Sequence, residues 1–209
     1  MKKLITLSLS VFLYANTCTD LQSCIKTANF YQYDKEDEVK AAKFYKIACN
    51  KYNDYMSCKF LSDIYKYSQN AKNEKQSKIY QNKTIKIVKE KCKKNDPNAC
   101  YDYANFCEVR YAIAKNYEEL YKKAFDLYEK ECNENNFSSC YYLANMYFNG
   151  IATEIDENRA YDLYDFACKN NDAKSCNELA QIHENKSLEY LRKACELDFV
   201  YSCDQLNKK

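Results

Sequence analysis

Apolar side chains recur along this chain with the period of an α-helix, in register with its cysteines. Many cysteines stand in pairs about eight residues apart, and apolar or small residues follow the second member of each pair three and four positions on. These offsets lie on one face of a helix. Each second cysteine therefore predicts the buried face of a helix. The residues at +3 are Leu61, Tyr103, Leu143, Leu179 and Leu206, and those at +4 are Ser62, Ala104, Ala144 and Ala180.

A second helical stripe leads up to the first cysteine of each pair. Before Cys132, for example, Ala124, Leu127 and Tyr128 stand eight, five and four positions earlier. A short polar link follows, and an N-cap residue then stands four positions before the second cysteine. These predicted N-caps are Asp54, Asp96, Asn136 and Asp172, with Pro97 at the favoured first helical position. The pattern predicts antiparallel helix pairs joined by tight corners.

The helix pairs repeat along the chain. The second cysteines lie 42, 40, 36 and 27 residues apart, at Cys58, Cys100, Cys140, Cys176 and Cys203. Such periods are typical of solenoids, and one glycine with one proline is too few for the turns of an all-β fold. We predict one all-α domain over residues 16–209, a right-handed α/α solenoid of about five helix pairs. The repeats are predicted at 18–53, 54–95, 96–135, 136–171 and 172–198, with a cap at 199–209.

Thirteen cysteines in so short a chain predict a disulfide framework. Zinc is disfavoured because no C-x-x-C occurs and His183 is the sole histidine, so no metal or other cofactor is predicted. Cys107 falls outside every pair and is predicted to keep its thiol, either as a buried inert side chain or as a reactive or intermolecular one. The predicted bridges are Cys18–Cys24, Cys49–Cys58, Cys92–Cys100, Cys132–Cys140, Cys168–Cys176 and Cys195–Cys203.

The amino terminus has the pattern of an export signal. Lys2 and Lys3 precede an apolar stretch over residues 4–14, and Ala15 supplies a small residue for cleavage. We predict a signal peptide at 1–15 and a mature chain in the periplasm or outside the cell. Without the two lysines the net charge of +2 falls to about zero, which argues against nucleic acid as a partner. No other run is apolar enough to cross a membrane.

Two runs of the sequence resemble a Sel1-like repeat, a relative of the tetratricopeptide repeat. They extend from Cys140 to Gly150 and from Asn158 to Cys168. With its eight-spaced cysteines, the chain is similar to the Helicobacter cysteine-rich family of secreted bacterial proteins. The resemblance extends over about residues 18–203, although most of the family's glycines are replaced here by Ala144 or by Asn and Asp in the links.

This resemblance implies β-lactam hydrolysis, because members of the family are commonly classed as β-lactamases or penicillin-binding proteins. Such serine enzymes use S-x-x-K together with S-D-N and K-T-G. Only the first occurs, as the run from Ser23 to Lys26, and the many serines and lysines make a chance match expected. His183 stands in a slot that holds Tyr65 and Tyr147 in other repeats, so a structural role explains it. No catalytic residue is predicted.

A binding function is the first hypothesis, with weak β-lactam hydrolysis as the alternative. A carboxamide or carboxylate stands five residues after the second cysteine of nearly every pair. Such a ladder offers donors and acceptors to an extended peptide. The alternative for these side chains is a solvated polar face or bonding to the helix backbone. The predicted partner of this monomer is a peptide, a protein or a cell-wall fragment. The predicted binding residues are Asn29, Asp63, Asn105, Asn145 and Gln181, flanked by Tyr101, Tyr141 and Tyr142.

Overall fold

The computed structural model of the chain describes residues 18–111, 117–182 and 187–206. The predicted signal peptide and His183 lie outside these ranges. The described residues form helices and links without a β-strand, which confirms the predicted all-α class. The helices are α1 (Leu21–Asn29), α2 (Glu38–Tyr52), α3 (Tyr55–Tyr67), α4 (Glu74–Lys93), α5 (Pro97–Asn105), α6 (Tyr117–Asn133), α7 (Phe137–Asn149), α8 (Glu157–Lys169), α9 (Ala173–Ile182), α10 (Ser187–Glu196) and α11 (Val200–Leu206).

The predicted N-caps begin their helices as expected. The carboxylate of Asp54 accepts a hydrogen bond from the backbone nitrogen of Ser57 at 2.7 Å, and that of Asp96 accepts one from Ala99 at 2.9 Å. Asn136 and Asp172 make the same contact to the third residue of α7 and of α9, at 3.3 and 2.8 Å. Each cap satisfies a backbone donor that the first helical turn leaves without a partner.

One residue in each corner link has a left-handed backbone. The φ angles of Asn53, Asn95, Asn135, Asn171 and Asp198 lie between 52° and 68°. Apart from glycine, asparagine and aspartate adopt this conformation most readily. Asn and Asp in the links therefore suit the backbone geometry of the corner.

All six predicted cysteine pairs are disulfides in the structure. In the five helix-linking pairs, the first cysteine lies in the last turns of one helix and the second in the first turns of the next. Their Cα atoms are 4.5–4.8 Å apart, within the usual range for disulfides. Six disulfides indicate that the folded chain belongs in an oxidising environment.

The chain forms two compact units, with the boundary between Lys91 and Cys92. In the first unit, α1 to α3 and most of α4 enclose a core that includes Tyr45, Leu61 and Ile64. Ser62 of α3 and Ser77 of α4 each donate a hydroxyl proton to the other's backbone carbonyl at 3.0 Å. The small residue predicted at +4 therefore marks a close helix contact in this repeat.

In the second unit, α5 to α11 pack in sequence around a continuous core. Leu143 and Leu179, predicted at +3, are buried, and so are Ala144 and Ala180 at +4. On the second helices, the residues four positions before each first cysteine are also buried. In this unit they are Tyr128, Tyr164 and Leu191.

Two helices end in a wider, π-helical turn that the repeat pattern does not predict. These turns cover residues 30–34 after α1 and 106–111 after α5. In the first, the backbone nitrogen of Lys35 bonds to the carbonyl of Phe30, five residues earlier, at 3.1 Å. Tyr31 and Cys107 stand seven residues after the second cysteine of their pairs, within these turns. They leave the regular α-helical stripe because a π turn contains more residues per turn.

Within the described ranges, no helix is both long enough and apolar enough to cross a membrane.

The disulfide at the α6–α7 corner should contribute substantially to stability. It closes a loop of about nine residues, for which the chain-entropy relation gives about 2.6 kcal/mol. We expect Cys132→Ala with Cys140→Ala to lower the free energy of unfolding by about 2–4 kcal/mol in guanidinium titrations followed by circular dichroism. Cys107→Ala, which also removes buried sulfur but leaves six bridges, is the control. An equal loss in the control would contradict the assignment to the cross-link.

The left-handed residue of the same corner gives a second test. At Asn135, with φ of 65°, a β-branched side chain is strained, so Asn135→Val should cost about 1–2 kcal/mol, whereas Asn135→Gly should not destabilise. Asn133→Val, two residues earlier in the helix, is the matched control because asparagine and valine have similar helix propensities. The same titration measures all three. Equal losses from Asn135→Val and Asn133→Val would exclude a special backbone at Asn135.

Candidate functional site

The predicted ladder begins in the first unit, where two of its members are engaged within the fold. The side-chain oxygen of Asn29 accepts a hydrogen bond from the Tyr45 hydroxyl at 2.8 Å. Asp63 forms an ion pair with Lys59, one turn earlier on α3, with 3.2 Å between the ammonium nitrogen and a carboxylate oxygen. Asn29 therefore links α1 to α2, whereas Asp63 pairs within its own helix.

The other three members lie in the second unit. Asn105 is half-buried at the end of α5. Asn145 donates one amide N–H to the backbone carbonyl of Tyr141 at 2.8 Å, which leaves its oxygen and its second N–H for other contacts. Gln181 is exposed near the end of α9. Of these three, Asn145 and Gln181 line one groove.

This groove lies between α7, α8 and α9 and has a volume of about 560 Å³, within the usual range for ligand sites. We call it the α7–α9 groove. Phe148 and Ile182 are each 42% exposed, so apolar surface lies beside the carboxamides. The lining residues are Asn145, Phe148, Asn149, Glu157, Tyr164, Glu178, Gln181 and Ile182.

Tyr164 is the most enclosed of these residues, and its hydroxyl has no hydrogen-bond partner among the described residues. It is 2% exposed and lines the groove from α8. Among the residues that the structure describes, none lies within hydrogen-bond distance of its hydroxyl. Burial, as the largest cause, raises the pKa of Tyr164 well above its usual value, so the hydroxyl is a neutral donor. A buried hydroxyl without a partner is costly unless water or a ligand supplies one.

Tyrosines at the same position of other repeats have internal partners. The hydroxyl of Tyr45 bonds to Asn29, and that of Tyr128 donates to the side-chain oxygen of Asn98 at 2.9 Å. The residue that corresponds to Asn29 in the α7–α8 repeat is Asn145, whose amide instead bonds to the backbone. The residue that corresponds to Asn98 is Ser138, which is not an asparagine. The hydroxyl in the α7–α9 groove therefore lacks both of the internal partners that Tyr45 and Tyr128 have.

Glu178 brings negative charge next to this hydroxyl. Burial raises the pKa of Glu178 above its usual value, although a hydrogen bond from Asn177 acts in the opposite direction. Burial, followed by the charge of Glu178, also raises the pKa of Tyr141 and of Tyr164. The carboxylate and the two phenol groups therefore form one partly desolvated cluster.

Tyr141 and Tyr142 pack edge to face, with ring centroids 5.1 Å apart, and both contact Lys174 of α9. The ammonium nitrogen of Lys174 donates to the Tyr142 hydroxyl at 3.0 Å and lies 5.0 and 5.4 Å from the centres of the two rings. Burial alone would lower the pKa of Lys174, but the hydrogen bond to Tyr142 and the negative potential of its neighbours raise it overall. Lys174 thus occupies the surface that these tyrosines were predicted to offer.

Tyr101 does not line the α7–α9 groove. Its ring packs edge to face on Tyr121 at 5.4 Å, and burial, as the largest cause, raises the pKa of its hydroxyl. The Tyr121 hydroxyl donates to a carboxylate oxygen of Glu108 at 2.8 Å. The predicted role of Tyr101 as a flanking contact stays a prediction.

The serine of the S-x-x-K match belongs to a helix cap. The Ser23 hydroxyl accepts from the backbone nitrogens of Thr19 and Asp20, each at 3.1 Å, while the Ser23 backbone nitrogen donates to the Asp20 carboxylate at 2.7 Å. This reciprocal capping box begins α1. The position of Ser23 is thus explained by the start of the helix.

Cys107 lies outside the six disulfides and is 2% exposed. It interacts with the hydroxyl of Tyr103, whose pKa is raised first by burial and then by the thiol. Burial keeps oxidants and other thiols away from the sulfur, as the inert interpretation requires. In the described part of the chain, no cluster of three or more His, Cys, Asp and Glu side chains could hold a metal ion.

The repeat pattern does not select the residues that distinguish the groove. It assigns Tyr164 to the core because its slot is buried in every repeat, and only the internal partners of the equivalent tyrosines reveal the difference. Glu178 stands two residues after the second cysteine of its pair, where other repeats have Phe60, Asp102 and Tyr142. No residue type recurs at that slot, so periodicity carries no signal for Glu178.

The sequence profile of the Sel1 repeat matches residues 21–53, 138–172 and 184–199. The profile thus matches segments in both of the chain's units, in agreement with the resemblance to such repeats. The closer resemblance to the Helicobacter cysteine-rich family, with its β-lactamase classification, stays a prediction.

Two solved structures are similar to the chain. One is the crystal structure of a Sel1 repeat protein from Oxalobacter formigenes, with 20% identity, a TM-score of 0.46, and coverage of 96% of this chain and 82% of that one. The other is c5321, described as a protective antigen present in uropathogenic Escherichia coli strains displaying an SLR fold, with 15% identity, a TM-score of 0.44, and coverage of 90% and 41%. No curated protein sequence matches the chain.

Glu178 should reduce the stability of the fold at neutral pH. Its folded pKa is raised, so ionisation is disfavoured in the folded state, and stability is lost as pH rises through the glutamate range. We expect Glu178→Gln to raise the thermal unfolding midpoint near pH 7, with the gain vanishing at about pH 3, where both states are protonated. Glu154→Gln, at an exposed link residue, is the control. A lower midpoint for Glu178→Gln near pH 7 would refute this assignment.

Proposed function

We propose that this protein is a binding scaffold that holds an extended peptide in the α7–α9 groove, and that it works in the periplasm or outside the cell. The buried Tyr164 hydroxyl, which has no hydrogen-bond partner among the described residues, is the observation that carries the proposal. A peptide carbonyl satisfies this donor, and one lies at every residue of an extended chain.

The carboxamides of the groove complete the match to a peptide backbone. Gln181 is exposed and offers both donors and an acceptor, while Asn145 offers its oxygen and one N–H, because its other N–H bonds to the Tyr141 carbonyl. A third carboxamide, Asn149, donates to the backbone carbonyl of Asn145 at 2.8 Å and also keeps its oxygen. The groove therefore presents acceptors for backbone N–H groups and donors, including the Tyr164 hydroxyl, for backbone carbonyls.

Apolar surface favours a peptide over a single sugar or metabolite. Phe148 and Ile182 border the polar residues and remain substantially exposed. In an extended peptide, alternate side chains face the same side, so one can cover this apolar surface while the backbone bonds to the carboxamides. The proposal does not extend to β-lactam hydrolysis, because the serine of S-x-x-K is part of a helix cap.

The Tyr164 hydroxyl gives the sharpest test. Oxidised protein is used to select binders from a random linear peptide display library, and the affinities of the selected peptides are measured by calorimetry. Tyr164→Phe should weaken binding about tenfold without lowering the unfolding midpoint, because no internal hydrogen bond is lost. Tyr128→Phe is the matched control. It removes the bond to Asn98, so it should cost about 1 kcal/mol of stability and leave peptide affinity unchanged.

The carboxamides are tested with the same peptides. Asn145→Ala combined with Gln181→Ala should reduce affinity at least as much as Tyr164→Phe, whereas Asn133→Ala, at an exposed asparagine outside the groove, should not. If no peptide is selected, or if selected peptides bind the double variant and the wild type equally well, the proposed function is wrong.

A further inference from the structure

The described residues that line the α7–α9 groove carry charges of one sign. They include Glu157 and Glu178 but no lysine or arginine. Within the described residues, Glu178 has no ion pair within 4.0 Å. The basic residue one turn earlier, Lys174, donates instead to the Tyr142 hydroxyl and lies over the tyrosine rings. Glu178 therefore faces the groove without a positive partner from the described chain.

Other grooves of the protein differ in this respect. One in the second unit has Glu118, Glu119 and Asp126 beside Lys122 and Lys123, and Lys122 pairs with Asp126 at 2.8 Å. One in the first unit, of about 390 Å³, is lined by three lysines and no acid: Lys43, Lys46 and Lys72. An acidic lining without bases is thus a local property of the α7–α9 groove.

We propose that the α7–α9 groove selects a peptide with a lysine or arginine side chain, whose charged group pairs with Glu178. This inference rests on the proposed peptide-binding function and names the chemistry of the side chain. The buried Tyr164 hydroxyl is the independent observation that a ligand belongs in the groove beside the carboxylate. Glu157, which lines the groove from α8, adds a second negative charge that attracts the same ligand.

The surroundings of Glu178 suit a long cationic side chain. The carboxylate is partly desolvated, so a cation there gains more than it would at an exposed acid. The methylene stem of lysine or arginine can lie along Phe148 and Ile182, whose apolar surfaces are exposed in the same groove. Glu178 lies two residues after Cys176, whose disulfide joins α9 to α8. This cross-link positions the helix that carries the carboxylate before the ligand arrives.

The test compares two synthetic peptides that differ at one residue. A peptide selected on the oxidised full-length chain is made with its lysine or arginine intact and with that residue replaced by glutamine, and calorimetry gives both affinities. Wild type should bind the cationic peptide about tenfold more tightly, with the difference shrinking as NaCl is raised. Glu178→Gln should remove the preference. Glu178→Lys should reverse it, so that a third version of the peptide, with glutamate at the same residue, binds more tightly than the cationic one. Glu154→Gln, with the same change in charge outside the groove, should retain it.

The outcomes separate this inference from the proposed function. If peptides bind in a manner sensitive to Tyr164→Phe but show no cationic preference, or if Glu178→Gln keeps that preference, charge selection is wrong and peptide binding stands. If no peptide binds, both are wrong. Circular dichroism and the count of alkylated thiols show that each variant is folded with six disulfides, so lost binding cannot be assigned to unfolding.

Discussion

The disulfide-bonded corner between consecutive helices is the constraint on which the rest of this fold depends. A repeat fold has no single central core, because each helix pair buries its apolar face only against its neighbours. At the corners of α2–α3, α6–α7 and α8–α9, three devices act on one short link: a disulfide, an N-cap and a left-handed Asn. Together they fix the angle at which the chain reverses, and the two helices then pack face to face.

The geometry of the α7–α9 groove depends on such a corner. The Cys168–Cys176 bridge joins the end of α8 to the start of α9. Tyr164 stands four residues before this bridge, and Glu178 and Gln181 stand two and five residues after it. Within one helical turn or so of a cross-link, side chains have little freedom to shift relative to one another. A ligand site beside a disulfide is therefore organised before binding, which lowers the entropy cost of binding.

The same groove contains a buried hydroxyl for which the described residues supply no hydrogen-bond partner. In the repeats of Tyr45 and Tyr128, a carboxamide oxygen accepts the bond of the buried tyrosine hydroxyl. In the groove, Tyr164 has no such partner among the described residues, and Glu178 is charged in a partly desolvated place. Stability alone would favour apolar or internally bonded residues at both sites. This local departure from the repeat pattern distinguishes the proposed ligand surface from the rest of the solenoid.

The sequence by itself determined the helix pairs, the six disulfides, the corner caps and the buried stripes, since each depends on residues near in sequence and recurs with the repeat. Cys132, Asn136 and Cys140, for example, specify one corner within nine residues. The sequence also predicted Asn145 and Gln181 as binding residues, from their shared position five residues after a second cysteine. It could not distinguish them from Asn29 at the same position, which is hydrogen-bonded inside the first unit. Only the tertiary structure decided that Tyr164 and Glu178 meet in one groove, and that Lys174 is held by tyrosines instead of by Glu178. Those facts depend on how three helices pack and on which side chain takes each hydrogen bond, and periodicity contains no information about either.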